Sequence, residues 1–138
     1  MPAKDIYHDT VKTALIKGGW QITHDPLRLR WRTTDTYVDL GAEKLLAAQK
    51  DSQKIAVEIK SFVSNSMIND LEDAVGQYSL YEELLNRLEP DRRLFLAVSE
   101  EVYLNVFVDA LGEIFLESKR IKLVVFDANK ETILEWVS

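Results

Sequence analysis

The stretch KIAVEIKSF, residues 54–62, decides the fold. Ile55, Val57 and Ile59 alternate with Ala56, Glu58, Lys60 and Phe62, the period-two pattern of a strand, so the two sets face opposite sides of a sheet. The first face is core material. The second has apolar positions at its ends and an acid and a base in the middle, about 7 Å apart along the strand. One reading is an ion pair on a half-exposed strand, since charged side chains usually mark a solvated face. The other is a chemical site built on a rigid element.

Upstream of this strand, residues 36–49 read as extended chain broken at Gly41, and KDSQ (50–53) as a polar turn, so residues 43–62 form a β-hairpin. Residues 4–17 read as a helix with Ile6, Val11, Ala14 and Leu15 in one stripe, ended by Gly18-Gly19. WQITHDPL is a short strand stopped by Asp25-Pro26, and LRLRW alternates as an exposed strand. Downstream, Ser66 is the expected N-cap of a helix carrying Ile68, Leu71, Val75, Tyr78 and Leu85 on one face and closing at Glu89-Pro90. RLFLAVS (93–99) has the near-continuous apolar character of a central strand. EEVYLNVFVDALGEIFLES reads as a second long helix capped by Ser99, and IKLVVFD and TILEWV as strands joined by ANKE. The order is α-β-β-β-α-β-α-β-β, a single mixed α/β domain over residues 1–138 with helices packed on a central sheet.

The chain has 138 residues, 29% charged and 46% hydrophobic, no cysteine and two histidines, His8 and His24. Disulfides, thiolate chemistry and a cysteine-based zinc site are therefore excluded. There is no apolar run of membrane-spanning length and no secretory signal at the polar N-terminus, so a cytoplasmic protein without membrane contact is expected. The net charge of −6 argues against a broad nucleic-acid-coating surface, although RLRWR (28–32) concentrates three arginines and Trp31. A homodimer is allowed by the sequence and not specified by it.

Three further residues bear on Glu58 and Lys60. Asp39, in YVDLG, ends the preceding extended segment, and two converging carboxylates call for a cation between them, such as Mg²⁺. Gln77 and Tyr81 share one face of the following helix at i, i+4 spacing. Asp39, then Glu58-x-Lys60 on a hydrophobic strand, then Gln77-x-x-x-Tyr81 resembles the PD-(D/E)xK nuclease superfamily over residues 4–99. The resemblance implies a restriction-endonuclease-like α/β fold, a central mixed β-sheet flanked by helices. It also implies metal-dependent phosphodiester hydrolysis of DNA. Asp39, Glu58 and the Ile59 carbonyl would hold Mg²⁺ or Mn²⁺, Lys60 would orient the attacking water, and Gln77 would bond near the metal or the DNA backbone. Where many of these nucleases carry a Glu on the first helix, this chain has His8, which ligates metals when neutral. With KDSQ as the turn, Asp39 pairs beyond Lys60, nearer Ser64. A bulge at Leu40-Gly41-Ala42 would correct that, and Glu43 is the alternate second carboxylate.

IYHDTVKTALIKGGWQITHDPL, DLGAEKLLAAQK, KIAVEIKSF, GQYSLYEELL and VFD resemble the XisH family. Its members are small cyanobacterial proteins described as controlling factors for excision of the fdxN element, a developmental DNA rearrangement in heterocysts. The resemblance implies a role in DNA processing alongside a site-specific recombinase and a second controlling factor. An accessory protein that keeps the fold without catalysis is the alternative.

Overall fold

Six strands form one mixed sheet in the order β1-β4-β5-β6-β7-β8. A computed structural model describes residues 4–45 and 52–138. The sheet strands are β1 (Gln21–His24), β4 (Leu40–Leu45), β5 (Ser52–Ile59), β6 (Arg92–Ser99), β7 (Leu123–Asp127) and β8 (Thr132–Val137). β5, β6 and β7 are parallel, and the outer pairs are antiparallel. A separate antiparallel hairpin joins β2 (Leu27–Trp31) and β3 (Thr34–Val38). No helix among the described residues is long and apolar enough to cross a membrane.

The alternation of β5 divides the core as the pattern requires. Ile55, Val57 and Ile59 pack with Val11 and Leu15 of α1 (His8–Lys17) on one face. Ala56 packs on the other face with Leu71, Ala74 and Tyr78 of α2 (Met67–Leu88) and with Leu27 and Leu29 of the hairpin. β6 is covered on both sides, as its apolar run predicts. Ser66 caps α2 by accepting from the Asn69 N–H at 3.2 Å, and Ser99 accepts from the Val102 N–H at 3.3 Å. Ile68, assigned to the apolar face, is exposed.

Several expectations need correction. α1 starts at His8 and not at Lys4, because the Asp5 carboxylate takes the Tyr7 N–H at 2.9 Å and holds the preceding residues in a turn. Five strands lie between α1 and α2, since the extended segment breaks at Asp39 and not at Gly41, which sits inside β4. The turn does not include Ser52 and Gln53, which pair with Leu45 and Lys44. Lys50 and Asp51, the rest of the expected turn, lie outside the described residues. The long helix after β6 is also absent. One α-helical turn (Glu100–Val102) runs into a π-helical turn (Tyr103–Phe107), and helix resumes only at Glu113–Glu117. The break buries Val106 and Phe107 together, and the chain returns so closely that a Cβ on Gly112 would lie 2.5 Å from the Val106 carbonyl oxygen.

Candidate active site

Between β4 and β5 the register runs without a shift, Leu40 opposite Val57 through Leu45 opposite Ser52. The next step along the ladder brings Asp39 to Glu58, so no bulge is needed and the expected pairing near Ser64 does not occur. Asp39 stands at the bend between β3 and β4, which lets its side chain reach β5. Its Oδ2 accepts the Ile59 N–H at 2.8 Å, and its own N–H donates to Glu58 Oε1 at 3.2 Å.

Glu58 is 7% exposed, which removes the reading of a half-exposed strand carrying an ion pair. Burial first, and the Asp39 charge second, push its carboxyl up to about 9. Asp39 is also pushed up by burial, against the pull of the Ile59 N–H. Two acids this close, one of them buried, do not both ionise readily, so the pair holds a proton at neutral pH.

Lys60 follows β5 and keeps the ladder going, its N–H donating to the Ala97 carbonyl at 3.1 Å. Its Nζ lies 3.9 Å from Asp70 Oδ1 and 3.9 Å from Asp73 Oδ2, so the ammonium leans toward the first turns of α2. Its charge still favours ionised Glu58. Tyr81 is buried, and burial first and the charges of Glu58 and Asp39 after it push its hydroxyl up. Helical spacing sets Gln77 between Asp73 and Tyr81 on the rim of α2 that borders Lys60. It lies on the Glu58 side of the sheet and is exposed to solvent.

His8 is buried at the start of α1, with Nε2 2.6 Å from Asp25 Oδ1. Lys12 holds the other Asp25 oxygen at 2.8 Å. Against the cost of burial, these two partners keep Asp25 below the usual carboxylate range. His8 Nδ1 is buried with no hydrogen-bond partner among the described residues. His8 and Asp5 are both near enough for their charges to act on Asp39. Glu43 lies opposite Lys54, four residues along β4 from Asp39 and about 13 Å away. The fold does not bring it to the pair.

Sequence reasoning missed Asp5 and Asp70. Asp5 Oδ2 accepts the Ser61 N–H at 3.0 Å and ties the entry to α1 to the end of β5. Asp70 is buried, accepts the Ser64 N–H at 3.2 Å and faces Lys60. Only the acidic first turn of α2 hinted at Asp70, and no spacing marks Asp5.

Among the described residues no three His, Cys, Asp or Glu side chains assemble as a ready-made metal cluster. The donor chemistry nevertheless suits a divalent ion completed by water and substrate: two adjoining carboxylates, with the unpartnered His8 nitrogen nearby.

The fold and this strand-end acid pair define a mixed α/β domain with a buried polar site at the carboxyl end of a parallel strand. The chain belongs to the XisH family: the XisH protein family matches residues 1–134. A solved XisH family protein from Nostoc punctiforme PCC 73102 is 34% identical, with TM-score 0.86, the match covering 97% of this chain and 100% of that one. A solved fdxN element excision controlling factor protein from Anabaena variabilis is 40% identical, with TM-score 0.85, covering 98% of this chain and 100% of that one. No curated protein matches significantly.

Proposed function

We propose that this chain is an excision-controlling factor that acts on DNA by metal-dependent hydrolysis of phosphodiester bonds, through a restriction-endonuclease-like site. The observation that carries the reading is the Asp39–Glu58 pair, a half-buried and a buried acid held together at a strand end through the Asp39 and Ile59 N–H groups. Such a pair costs stability unless a cation compensates it. Mg²⁺ or Mn²⁺ held by Asp39 and Glu58, with the Ile59 carbonyl and His8 as further donors, would polarise the phosphate and stabilise the leaving 3′-oxygen.

The chain's own residues do the rest. Asp39, fixed by the Ile59 N–H, and Glu58, fixed by the Asp39 N–H, present preset donors. Lys60 supplies positive charge where negative charge grows on the phosphate. Gln77, exposed on the rim of α2, hydrogen-bonds the DNA backbone, and Tyr81 closes the site from the helix side. The name of the Anabaena variabilis relative, an fdxN element excision controlling factor, supports placing this chemistry in element excision; a site-specific recombinase and a second controlling factor are the partners we propose.

One observation favours a second reading, a catalytically silent accessory protein: Lys60 is already engaged by Asp70 and Asp73. Cleavage of labelled branched, single-stranded and duplex DNA with Mg²⁺ or Mn²⁺ decides between them. Wild type should cut, and Glu58→Ala and Lys60→Ala should each lose on the order of 10²-fold in rate. No cutting by pure wild type, together with binding to recombination partners, establishes the accessory role. Equal cutting by wild type and Glu58→Ala refutes the site.

A further inference from the structure

We propose that a cleft between the end of α1 and β8 binds a nucleotide unit, a planar base carrying a phosphate. It does not depend on the nuclease reading. The cleft lies on the α1 face, at the amino ends of β5 and β6, whereas Glu58 faces α2 at the carboxyl end of β5. Gln53, in the cleft wall, is five residues from Glu58, about 17 Å along the strand.

The cleft has a volume of about 540 Å³, within the usual range for small-ligand sites. Its floor is aromatic. The Trp136 ring meets Phe95 edge-on at 4.8 Å and lies 5.7 Å from Trp20. Phe95 and Trp20 are buried and fix the Trp136 ring from beneath, while Trp136 keeps 37% of its surface exposed. A part-exposed indole packed against two buried aromatic rings is a stacking platform for a base.

Its charged side chains have one sign, and Ser138, the last residue of the sequence, also lines it. In a chain of net charge −6, the charged side chains in the described lining are Lys44 and Arg93, with no Asp or Glu. Lys44 Nζ gives one donor to the Gly18 carbonyl at 3.1 Å and keeps two for a ligand. Arg93 is exposed and makes no ion pair or side-chain hydrogen bond among the described residues. Its neighbour Arg92, by contrast, is buried and tied to Glu89 and the Ile55 carbonyl. Two available cations beside an aromatic platform select a ligand that is both anionic and flat, and Gln53 offers an amide to a base edge. A free mononucleotide and a nucleotide within a single strand share this chemistry.

The three tryptophans give three indole N–H signals in a ¹⁵N-labelled sample. Titration with dGMP should shift those of Trp136 and Trp20 saturably and leave Trp31 in place. Deoxyguanosine and inorganic phosphate should each bind at least about tenfold more weakly, because each lacks half of the contact. Arg93→Glu, at an exposed position, should weaken dGMP by about tenfold while the rest of the spectrum stays folded. Trp136→Leu should abolish binding, and Glu58→Gln should leave it unchanged. A 5′-phosphorylated oligothymidylate that binds much more tightly than dGMP identifies the source as a strand, and equal binding identifies a free nucleotide. The proposal is overturned if neither ligand shifts Trp136 saturably at millimolar concentration. It is also overturned if Arg93→Glu binds dGMP as wild type does.

Discussion

Replacing Glu58 with Gln tests the buried acid most directly, because the change removes a titration and keeps the shape. The Glu58 carboxyl rises from 4.5 to about 9, through burial and then the Asp39 charge. In the unfolded chain the same group ionises at its ordinary value. Between those two limits the folded state holds a proton that the unfolded state has released, so stability falls as pH rises through that window. pH 7 stands 2.5 above the ordinary value of 4.5, which corresponds to about 3 kcal/mol at roughly 1.4 kcal/mol per pH unit.

A glutamine amide imitates the protonated acid. Its oxygen accepts the Asp39 N–H that Glu58 Oε1 now accepts at 3.2 Å, and its NH₂ donates to the Asp39 carboxylate. Glu58→Gln should therefore be more stable than wild type by about 3 kcal/mol at pH 7, equal to it near pH 4, and further ahead at pH 8. That is a rise of roughly 10 °C in melting temperature for a chain of this size. Urea unfolding of both proteins across this pH range measures it. Equal or lower stability of Glu58→Gln at pH 8, with an unchanged pH slope, would refute a protonated, buried Glu58. A gain is the pattern expected where function keeps a destabilising group in place.

Two other outcomes follow. Tyr78→Phe should cost about 2 kcal/mol, because the buried hydroxyl donates to the Leu94 carbonyl at 3.0 Å and accepts the Lys122 N–H at 3.1 Å, and its loss strands both groups; chemical denaturation measures this. If the acid pair holds a metal, Mn²⁺ should raise the wild-type melting temperature more at pH 8.5 than at pH 6.5, since binding must displace the Glu58 proton, and Glu58→Gln should lose most of that effect.

Much of the fold was legible because its signals are local. The alternation in residues 54–62 separates the two cores, and Ser66 and Ser99 cap the helices that follow them. The errors arose where a local pattern competed with a tertiary one. Residues 100–118 are apolar enough for one helix, but burying Val106 beside Phe107 and folding back at Gly112 wins over continuous helix. KDSQ is the most polar run after β4 and favours a turn at 50–53, whereas Ser52 and Gln53 serve the ladder.

That misplaced turn explains why the site was harder to read than the fold. Register in a hairpin is fixed by where the chain reverses, and a small error there moves every cross-strand partner. A turn at 50–53 would carry Asp39 past Glu58 and leave Glu43 as the alternate second carboxylate. The observed register removes the rivalry, because Asp39 lies one step beyond the Leu40–Val57 pair. The roles of Asp5 and Asp70 were not legible for a different reason. Each acts through a backbone N–H, of Ser61 and of Ser64, just after β5. Such bonds carry no side-chain motif, yet they hold the segment that follows Glu58. Because Asp70 also faces Lys60, the same carboxylate that orders this segment draws the ammonium toward α2. The position of Lys60 is thus set by the balance between the acids of α2 and whatever negative charge develops at Glu58, and loss of the Glu58 proton shifts that balance toward the strand.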